Sequence, residues 1–366
     1  MKFIHMADLH LGVAPDAGKP WSEQRKQDIW NSFFETIAYA KQEQVELLLI
    51  AGDLFHRQPL KRELKEVAGQ FAGIPETEVV LLAGNHDYLH PKSYYHGFEW
   101  PDNVHMLYGE QMESVYLEKL DTTVWGASYW KMDDGRRLYD DMEIVANDGA
   151  AMKASAERKL AGKSGYHILL GHGGDEKHRP FNARRVAEAG FDYAAFGHIH
   201  KAEQMIPGKV VMAGALEPTD CNDFGPHGFW VGELNGSGCT VQFLPIKRCE
   251  YCKQELVING KMTWNQILAE VKALLAQRED YQISHLRLLG YRDGDLEINK
   301  EELLALERVV RVIDETVPDY QFDKLKAQHE GTLLGSFIEE VERHPDQALA
   351  KDVLYYGVWA MLESMH

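Results

Sequence analysis

Five short motifs of this sequence contain side chains that bind metal ions. They are Asp8-Leu9-His10, Gly52-Asp53, Gly84-Asn85-His86-Asp87, Gly171-His172 and Gly197-His198-Ile199-His200. Carboxylate, amide and imidazole ligands suit Mn²⁺, Fe or Zn²⁺, and a set without thiolates disfavours a structural zinc site. The set is too large for one ion, and Asp53, which stands alone in its motif, is the natural carboxylate bridge between two. The sequence therefore predicts a two-metal centre with candidate residues Asp8, His10, Asp53, Asn85, His86, His172, His198 and His200.

Each motif follows an apolar run of strand length. The runs cover residues 3–6, 47–51, 79–83, 168–170 and 193–196. Such short runs bounded by Gly are typical of buried strands, whereas residues 29–40 and 64–71 carry apolar side chains at helical spacing. Alternating strands and helices predict an α/β sheet, in which ligand sites form beyond the carboxyl ends of the strands. We therefore expect the five motifs to converge.

The remaining patterns divide the chain into three parts. Further strands at 104–108, 209–213, 228–234 and 239–246, with a hairpin-like pair over 114–127, complete a first domain of residues 1–250. In a small α+β domain at 251–330, we expect strands at 255–258 and 285–289 and helices over 267–275 and 303–313. The segment 331–366 is predicted to be helical, with two helices broken near Pro345.

Composition narrows the classes of protein. The 366 residues include 39 Lys and Arg, 57 Asp and Glu, and only four Cys, with a net charge of −18. So few cysteines exclude a disulfide scaffold, and the lone pair Cys249 and Cys252 lacks the second pair of a zinc site. No apolar run approaches the length of a membrane span or signal peptide, so we expect a cytoplasmic protein without a membrane partner. The negative charge argues against passive coating of nucleic acid, but two divalent ions beside Asp8 and Asp53 would attract a phosphodiester.

The five motifs, in this order, resemble those of the calcineurin-like metallophosphoesterases. Asp53-Leu54-Phe55-His56 and the stretch Ala213–Pro218 are similar to the SbcD and YhaO type of DNA repair exonuclease within that superfamily. The resemblance implies an α/β (α+β) fold, a metallophosphoesterase β-sandwich flanked by helices, with a small C-terminal α+β capping domain. It also implies two divalent ions, Mn²⁺ first, with Fe, Zn²⁺ or Mg²⁺ as alternatives.

The resemblance assigns roles by position. One ion would be held by Asp8, His10, Asp53 and His200, and the other by Asp53, Asn85, His172 and His198. His86 would contact the phosphate and help the leaving oxygen depart, while Asp87 either orients His86 or caps the turn. His56 would help to place the DNA phosphate. Four cations are candidates for contact with the DNA backbone: Arg57, Arg184, Arg185 and Lys201.

Three functions follow as hypotheses. The first is a two-metal phosphodiesterase, an exonuclease or endonuclease at DNA ends in repair. The second is a phosphodiesterase or phosphatase for small nucleotides, with the capping domain as a lid, and the third is a non-catalytic scaffold. The resemblance further implies DNA and a coiled-coil ATPase of the SbcC type as partners, and a homodimer. Missing ligands would favour the scaffold, but every motif is intact.

Overall fold

The computed structural model describes residues 1–146, 158–162 and 165–364. The chain forms two compact units, Met1–Tyr251 with Tyr281–Ile283, and Cys252–Asp280 with Ser284–His366. The tail 331–366 shares the second unit with the residues that precede it. The three-part division with boundaries at 250 and 330 therefore stays a prediction.

The first unit alternates strands and helices as its apolar runs indicate. In chain order it contains β1 (Lys2–Met6), α1 (Ser22–Gln42), β2 (Leu47–Ala51), α2 (Lys61–Ala72), β3 (Glu78–Leu82), β4 (Val104–Leu107), β5 (Glu113–Leu117), β6 (Thr122–Gly126), β7 (Met142–Ala146), β8 (Arg158–Gly162), β9 (Tyr166–His172), α3 (Ala183–Glu188), β10 (Tyr193–Gly197), β11 (Glu203–Ile206), β12 (Val210–Met212), β13 (His227–Asn235) and β14 (Gly238–Ile246). Every predicted strand of this unit is present, and β7, β8 and β11 are additional.

Two mixed six-stranded sheets form the centre of this unit. Their strand orders are β14-β13-β1-β2-β3-β4 and β11-β12-β10-β9-β6-β5. Along β2, Leu48 and Ile50 belong to the core beneath α1 and α2, whereas Leu47 and Leu49 belong to the core shared by the two sheets. Successive side chains of a strand point to opposite faces, so the continuous apolar runs identify strands that are buried on both sides. The predicted β-sandwich flanked by helices is confirmed.

The second unit is a smaller α+β assembly. It contains β15 (Glu250–Ile258) from Cys252 onward, α4 (Trp264–Leu275), β16 (Gln282–Arg292) from Ser284 onward, α5 (Lys300–Leu304), β17 (Val309–Asp314), β18 (Val317–Pro318), α6 (Phe322–Gln328), α7 (Leu333–Glu342) and α8 (Gln347–Glu363). The sheet order is β15-β16-β17, and β18 also pairs with β16. The two tail helices α7 and α8 are confirmed. The predicted helix 303–313 is wrong in its second half, which is strand β17.

Membrane insertion can be checked against the helices. Within the part of the chain that the structure describes, no helix is both long and apolar enough to cross a bilayer.

Candidate metal centre

The predicted ligands lie at the carboxyl ends of five parallel strands of the first unit. Asp8 and His10 follow β1, Asp53 follows β2, Asn85 follows β3, His172 ends β9, and His198 and His200 follow β10. Strands β1, β2 and β3 run parallel in one sheet, and β9 and β10 run parallel in the other. The two sheets therefore deliver these side chains to a single place.

Interatomic distances divide the ligands into two groups. Asn85 Oδ1 lies 2.9 Å from His172 Nε2 and 3.0 Å from His198 Nδ1. On the other side, His10 Nε2 lies 3.1 Å from His200 Nε2. Asp53 Oδ2 lies 3.5 Å from His172 Nε2 and 3.8 Å from His10 Nε2, so it reaches both groups. This arrangement supports Asp53 as the bridge between two ions.

The donor atoms fit divalent ions in spacing and in chemistry. Two ligand atoms about 2.1 Å from one ion and at right angles are about 3.0 Å apart, close to the distances within each group. Asp8 Oδ1 is buried without a hydrogen-bond partner among the described residues, which is costly unless a cation meets it. Asp8, His10 and His200 offer one set of mutually close donors, and Asp8, Asp53 and His172 offer another. None of the candidate clusters in the described ranges contains a cysteine.

The electrostatics of the site also favour positive charge. Burial lowers the pKa of His172, but the neighbouring charges of Asp53 and Asp8 outweigh it and raise that pKa to about 9. Burial raises the pKa of Asp8 to about 6, against the opposing effect of His172 and His200. Two buried carboxylates thus draw positive charge into the site, and divalent ions supply it.

The backbone at these ligands is in an unusual conformation. Asp8, His10, Asp53 and His198 have positive φ values of 51°, 47°, 49° and 100°. Non-glycine residues adopt this region at an energetic cost, and such conformations cluster at functional sites. The backbone NH groups of His86 and His198 donate to Asp53 Oδ1 and Asp8 Oδ2, each at 2.8 Å. Each bond occupies one oxygen of its carboxylate. The other oxygen, Oδ2 of Asp53 and Oδ1 of Asp8, faces His172.

His86 lies beside the ligands and is oriented by a backbone carbonyl. Its Nδ1 lies 3.2 Å from the His56 oxygen, and its ring centroid is 4.8 Å from that of His10. The His56 ring stacks on the His86 ring with the centroids 5.1 Å apart, and its role in placing a phosphate stays a prediction. The bond at Nδ1 leaves Nε2 of His86 available for a substrate.

Asp87 has different contacts from the predicted orienting role. Its side chain is fully buried and accepts hydrogen bonds from the NH groups of Gly84 and Phe55 and from the Tyr95 hydroxyl. Burial raises the pKa of Asp87 to about 7, against these hydrogen bonds. The oxygens of Asp87 are occupied by the loop and not by His86, which are the contacts of a turn cap, and a catalytic role for Asp87 stays a prediction.

The four cations predicted to contact DNA differ in their environments. Arg57 is paired with Glu63 at 2.9 Å, and Arg185 is paired with Asp141 at 3.2 Å. Arg184 and Lys201 are exposed. Lys201 directly follows the predicted ligand His200, whereas Arg184 lies in the first turn of α3, whose Val186 packs on the outer face of the second sheet. Of the four, Lys201 is therefore the nearest in sequence to the metal centre.

Several residues that support the ligands were missed by sequence reasoning. Asp175 and Asp223 accept hydrogen bonds from the rings of His198 and His200. The hydroxyl groups of Tyr129 and Tyr139 lie 3.1 Å and 3.3 Å from the His172 carbonyl oxygen. The buried Arg179 lies over the Tyr129 ring. None of these residues belongs to a recognisable motif. The one sequence feature that could have indicated a supporting role is the position of Asp175, three residues after His172.

A β-sandwich with Asp, Asn and His ligands converging at its strand ends defines a metal-dependent hydrolase. Residues 1–202 match the family of calcineurin-like phosphoesterases, and the chain belongs to that family. Phosphoesterases of this family bind two divalent ions, in agreement with the two ligand groups. The expected resemblance is therefore confirmed.

The similarity to known relatives covers more residues than the match to the family. An uncharacterized metallophosphoesterase, YhaO, of Bacillus subtilis is 28% identical over 261 residues, covering 66% of this chain and 60% of its own length. The DNA double-strand break repair protein Mre11 of Methanocaldococcus jannaschii is 25% identical, covering 74% of this chain and 73% of its own. The SbcD component of the nuclease SbcCD of Rhodobacter capsulatus is 24% identical, covering 68% and 70%. The chain thus spans only part of each of these relatives.

Proposed function

We propose that the protein is a two-metal-dependent nuclease that cleaves phosphodiester bonds at DNA ends during repair. The observation that carries the proposal is the complete set of ligands around Asp53 with His86 beside them. The similarity to Mre11 and SbcD nucleases supports a DNA substrate, because it extends over 293 and 291 residues, well beyond the phosphoesterase domain.

The ligand set has a direct chemical use. Two divalent ions, proposed to be Mn²⁺, would supply Lewis acidity for the phosphate and a nucleophilic water at neutral pH. Asp8, His10, Asp53 and His200 would hold one ion, and Asp53, Asn85, His172 and His198 the other. Protonated His86, whose Nδ1–H is held by the His56 carbonyl, would present Nε2–H to the leaving oxygen, donate that proton to it and become neutral. His56 would contact the same phosphate.

A second candidate is a phosphodiesterase or phosphatase for small nucleotides. Two of the four predicted DNA-contacting cations, Arg57 and Arg185, are paired with acids, and the chain carries a net charge of −18. Backbone contacts from Lys and Arg supply much of the affinity of DNA-binding proteins. Pairing of these cations favours a short substrate, for which attraction by the metal centre is sufficient.

We further propose a helical partner for the tail. Leu349, Val353, Tyr356 and Trp359 recur at spacings of four, three and three residues along α8, and their exposed fractions are 51%, 39%, 65% and 49%. Residues at this spacing share one helix face, which suits a partner helix such as the coiled coil of an SbcC-type ATPase. A homodimer, which rests on the resemblance, and a cytoplasmic location, which rests on the composition of the sequence, remain parts of this proposal.

The test of the function is degradation of end-labelled linear double-stranded DNA with Mn²⁺. We expect the wild type to shorten DNA from its ends and His86→Ala to be slower by about 10²–10⁴-fold, since proton transfer to the leaving oxygen is lost. Bound Mn²⁺ should remain at the wild-type level in this variant, because His86 is not a ligand.

Two further assays separate the alternatives. Hydrolysis of bis(p-nitrophenyl) phosphate and of cyclic and linear nucleotides, without cleavage of DNA, would replace the nuclease by the small-nucleotide enzyme. If no phosphodiester is hydrolysed by the Mn²⁺-loaded wild type, the catalytic proposal is wrong. Arg185→Ala and Lys201→Ala test DNA contact, and we expect Lys201→Ala to weaken DNA binding more because Arg185 is paired with Asp141.

A further inference from the structure

The two histidines of the motif Gly197-His198-Ile199-His200 present different ring nitrogens to the metal centre. His198 Nδ1 lies 3.0 Å from Asn85 Oδ1, whereas His200 Nε2 lies 3.1 Å from His10 Nε2. A neutral imidazole has a hydrogen on one nitrogen and a lone pair on the other, and the lone pair binds a metal. One short motif must therefore hold its two rings in opposite tautomers.

The nitrogen that faces away from the centre meets a carboxylate in both rings. His198 Nε2 lies 2.8 Å from Asp175 Oδ2, and His200 Nδ1 lies 2.9 Å from Asp223 Oδ2. An ionised carboxylate only accepts hydrogen bonds, so the ring nitrogen beside it must carry the hydrogen. Asp175 thereby leaves the Nδ1 lone pair of His198 for a metal, and Asp223 leaves the Nε2 lone pair of His200.

Both carboxylates are themselves held in place. Asp175 Oδ1 accepts from the backbone NH groups of Lys177 and His178, at 2.8 Å and 3.0 Å, and lies 2.9 Å from His178 Nδ1. Asp223 Oδ2 accepts from the backbone NH and the hydroxyl of Thr219, at 3.0 Å and 3.2 Å. These contacts come from loops that follow β9 and β12, so each histidine is fixed by a different part of the chain.

We propose that Asp175 and Asp223 are positioning residues that separately set the affinity of the two metal sites. Asp175 acts through His198 on the site that Asn85 shares, and Asp223 acts through His200 on the site that His10 shares. The inference rests on the proposed two-metal centre and is independent of the proposed DNA substrate. Carboxylates that hydrogen-bond to a ligating histidine fix its orientation and raise its basicity, and their loss typically lowers metal affinity by about 10–100-fold.

The test is a titration of the full-length, metal-free protein with Mn²⁺ by isothermal calorimetry. Asp175→Asn and Asp223→Asn keep the side-chain shape but remove the charge that fixes each tautomer. We expect two sites in the wild type, and in each variant one site weakened by about 10–100-fold with the other within about twofold of wild type. The double variant should weaken both.

The matched control is Asp133→Asn. The Asp133 side chain is 74% exposed and lies 3.5 Å from His178 Nε2, on the far side of His178 from Asp175. It does not contact His198, so we expect both affinities to stay at the wild-type level. Thermal melting of the metal-free variants checks that each of them folds.

The tautomers provide a readout that a purely structural role would not change. In ¹⁵N-histidine NMR spectra of the Zn²⁺-loaded protein, the wild type should show a hydrogen on Nε2 of His198 and on Nδ1 of His200. Asp175→Asn should alter the His198 signals and leave those of His200 unchanged.

Different results would overturn the inference about Asp175 and Asp223, the proposed metal centre, or the proposed nuclease activity. Unchanged binding, or equal weakening of both sites in each variant, would overturn the inference. A wild type that binds no divalent ion would overturn the metal centre and the inference together. A wild type that binds two ions but cleaves no DNA would overturn the nuclease proposal alone, while the separate weakening of the two sites would still support the inference.

Discussion

At the scale of single residues, the metal centre depends on glycines as well as on its ligands. A Cβ atom added to Gly84 would collide with the Asp53 carboxylate and lie 2.5 Å from the Asp53 backbone nitrogen. Gly52 has φ = 90°, and a Cβ atom there would meet the His172 ring. Each of these glycines precedes a predicted ligand and makes room for the close approach of a predicted ligand from a different motif.

We predict that Gly84→Ala weakens the metal centre. Overpacking costs about 1–3 kcal/mol, and here it displaces the bridging carboxylate of Asp53. Mn²⁺ affinity, measured by calorimetric titration, should therefore fall by about tenfold or more.

Gly69→Ala is the matched control for this prediction. Gly69 lies within α2, and a Cβ atom there meets nothing within 4 Å. Urea unfolding should show a gain of about 0.5–1 kcal/mol for Gly69→Ala, because Ala is favoured in a helix, and its Mn²⁺ affinity should not change. Wild-type Mn²⁺ affinity in Gly84→Ala would contradict the argument from close approach.

At the scale of elements, a buried arginine joins the segment after β6 to the segment after β9. Arg179 is fully buried, and its Nε donates to Asp134 Oδ2 at 2.9 Å. Its guanidinium lies 4.1 Å from the centroid of Tyr129, whose hydroxyl donates to the carbonyl oxygen of the ligand His172. The pair of Arg179 and Asp134 therefore supports the proposed metal ligand His172 through Tyr129.

We predict that the stabilising effect of Asp134 depends on pH. Burial raises the pKa of Asp134, but hydrogen bonds from Arg136 and Arg179 outweigh it and hold the pKa well below its usual range. Because the folded-state pKa is depressed, the contribution is full above the unfolded pKa of about 3.9 and is lost as the pH falls below it. Relative to Asp134→Asn, the wild type should be more stable by about 3–5 kcal/mol at pH 7, and by less at pH 3.5.

Urea unfolding at pH 7, 5, 4 and 3.5 measures this difference. Asp133→Asn is the control, because it changes an exposed carboxylate one residue earlier and should show a small difference at every pH. A difference between the wild type and Asp134→Asn that stays constant over this range would contradict the assignment of Asp134 as an ionised, paired group.

The elements also reveal what could be predicted from sequence. The buried strands β1, β2 and β3 could be recognised from the sequence because they are apolar on both faces and bounded by Gly. Because ligand sites form beyond the carboxyl ends of such strands, the convergence of the motifs could be predicted as well. The helix over 303–313 was wrong because its apolar spacing also fits a short helix followed by a strand. The helix α5 already ends at Leu304, and Arg308, with φ = 54°, is outside the helical region. The strand β17, which begins with the β-branched Val309 and Val310, then pairs in parallel with β16.

The supporting residues could not be predicted for a physical reason. Asp175 reaches His198 across 23 residues, and Tyr129 reaches His172 across 43 residues. Such contacts depend on how the two sheets and their loops pack and leave no local periodicity in the sequence. Asp87, by contrast, was recognised in its motif, but only the three donors around its carboxylate distinguish a turn cap from a catalytic role.

At the scale of the whole molecule, a strongly acidic chain has to attract an acidic substrate. The net charge is −18, and two of the acidic side chains counted in it, Asp8 and Asp53, lie at the site itself. Two divalent ions would bring four positive charges, which reverses the sign of the local charge. Because charges are screened over about 8 Å at physiological salt, the local sign matters more than the net charge for a bound phosphate.

The last prediction concerns removal of the metal and which unit responds. The proposed ligands all belong to the first unit, and the second unit has separate apolar cores around α4 with β16 and around α7 with α8. A ligand at 100 times its Kd stabilises the folded state by about 2.7 kcal/mol. Adding Mn²⁺ to EDTA-treated protein should therefore slow hydrogen–deuterium exchange at the carboxyl ends of β1, β2, β3, β9 and β10, while exchange in α4, β16 and α8 stays unchanged. Asp53→Asn is the control, in which the effect of Mn²⁺ on exchange should be lost. Equal protection of both units in the wild type would contradict the prediction, because metal binding would then stabilise the whole chain and not the first unit alone.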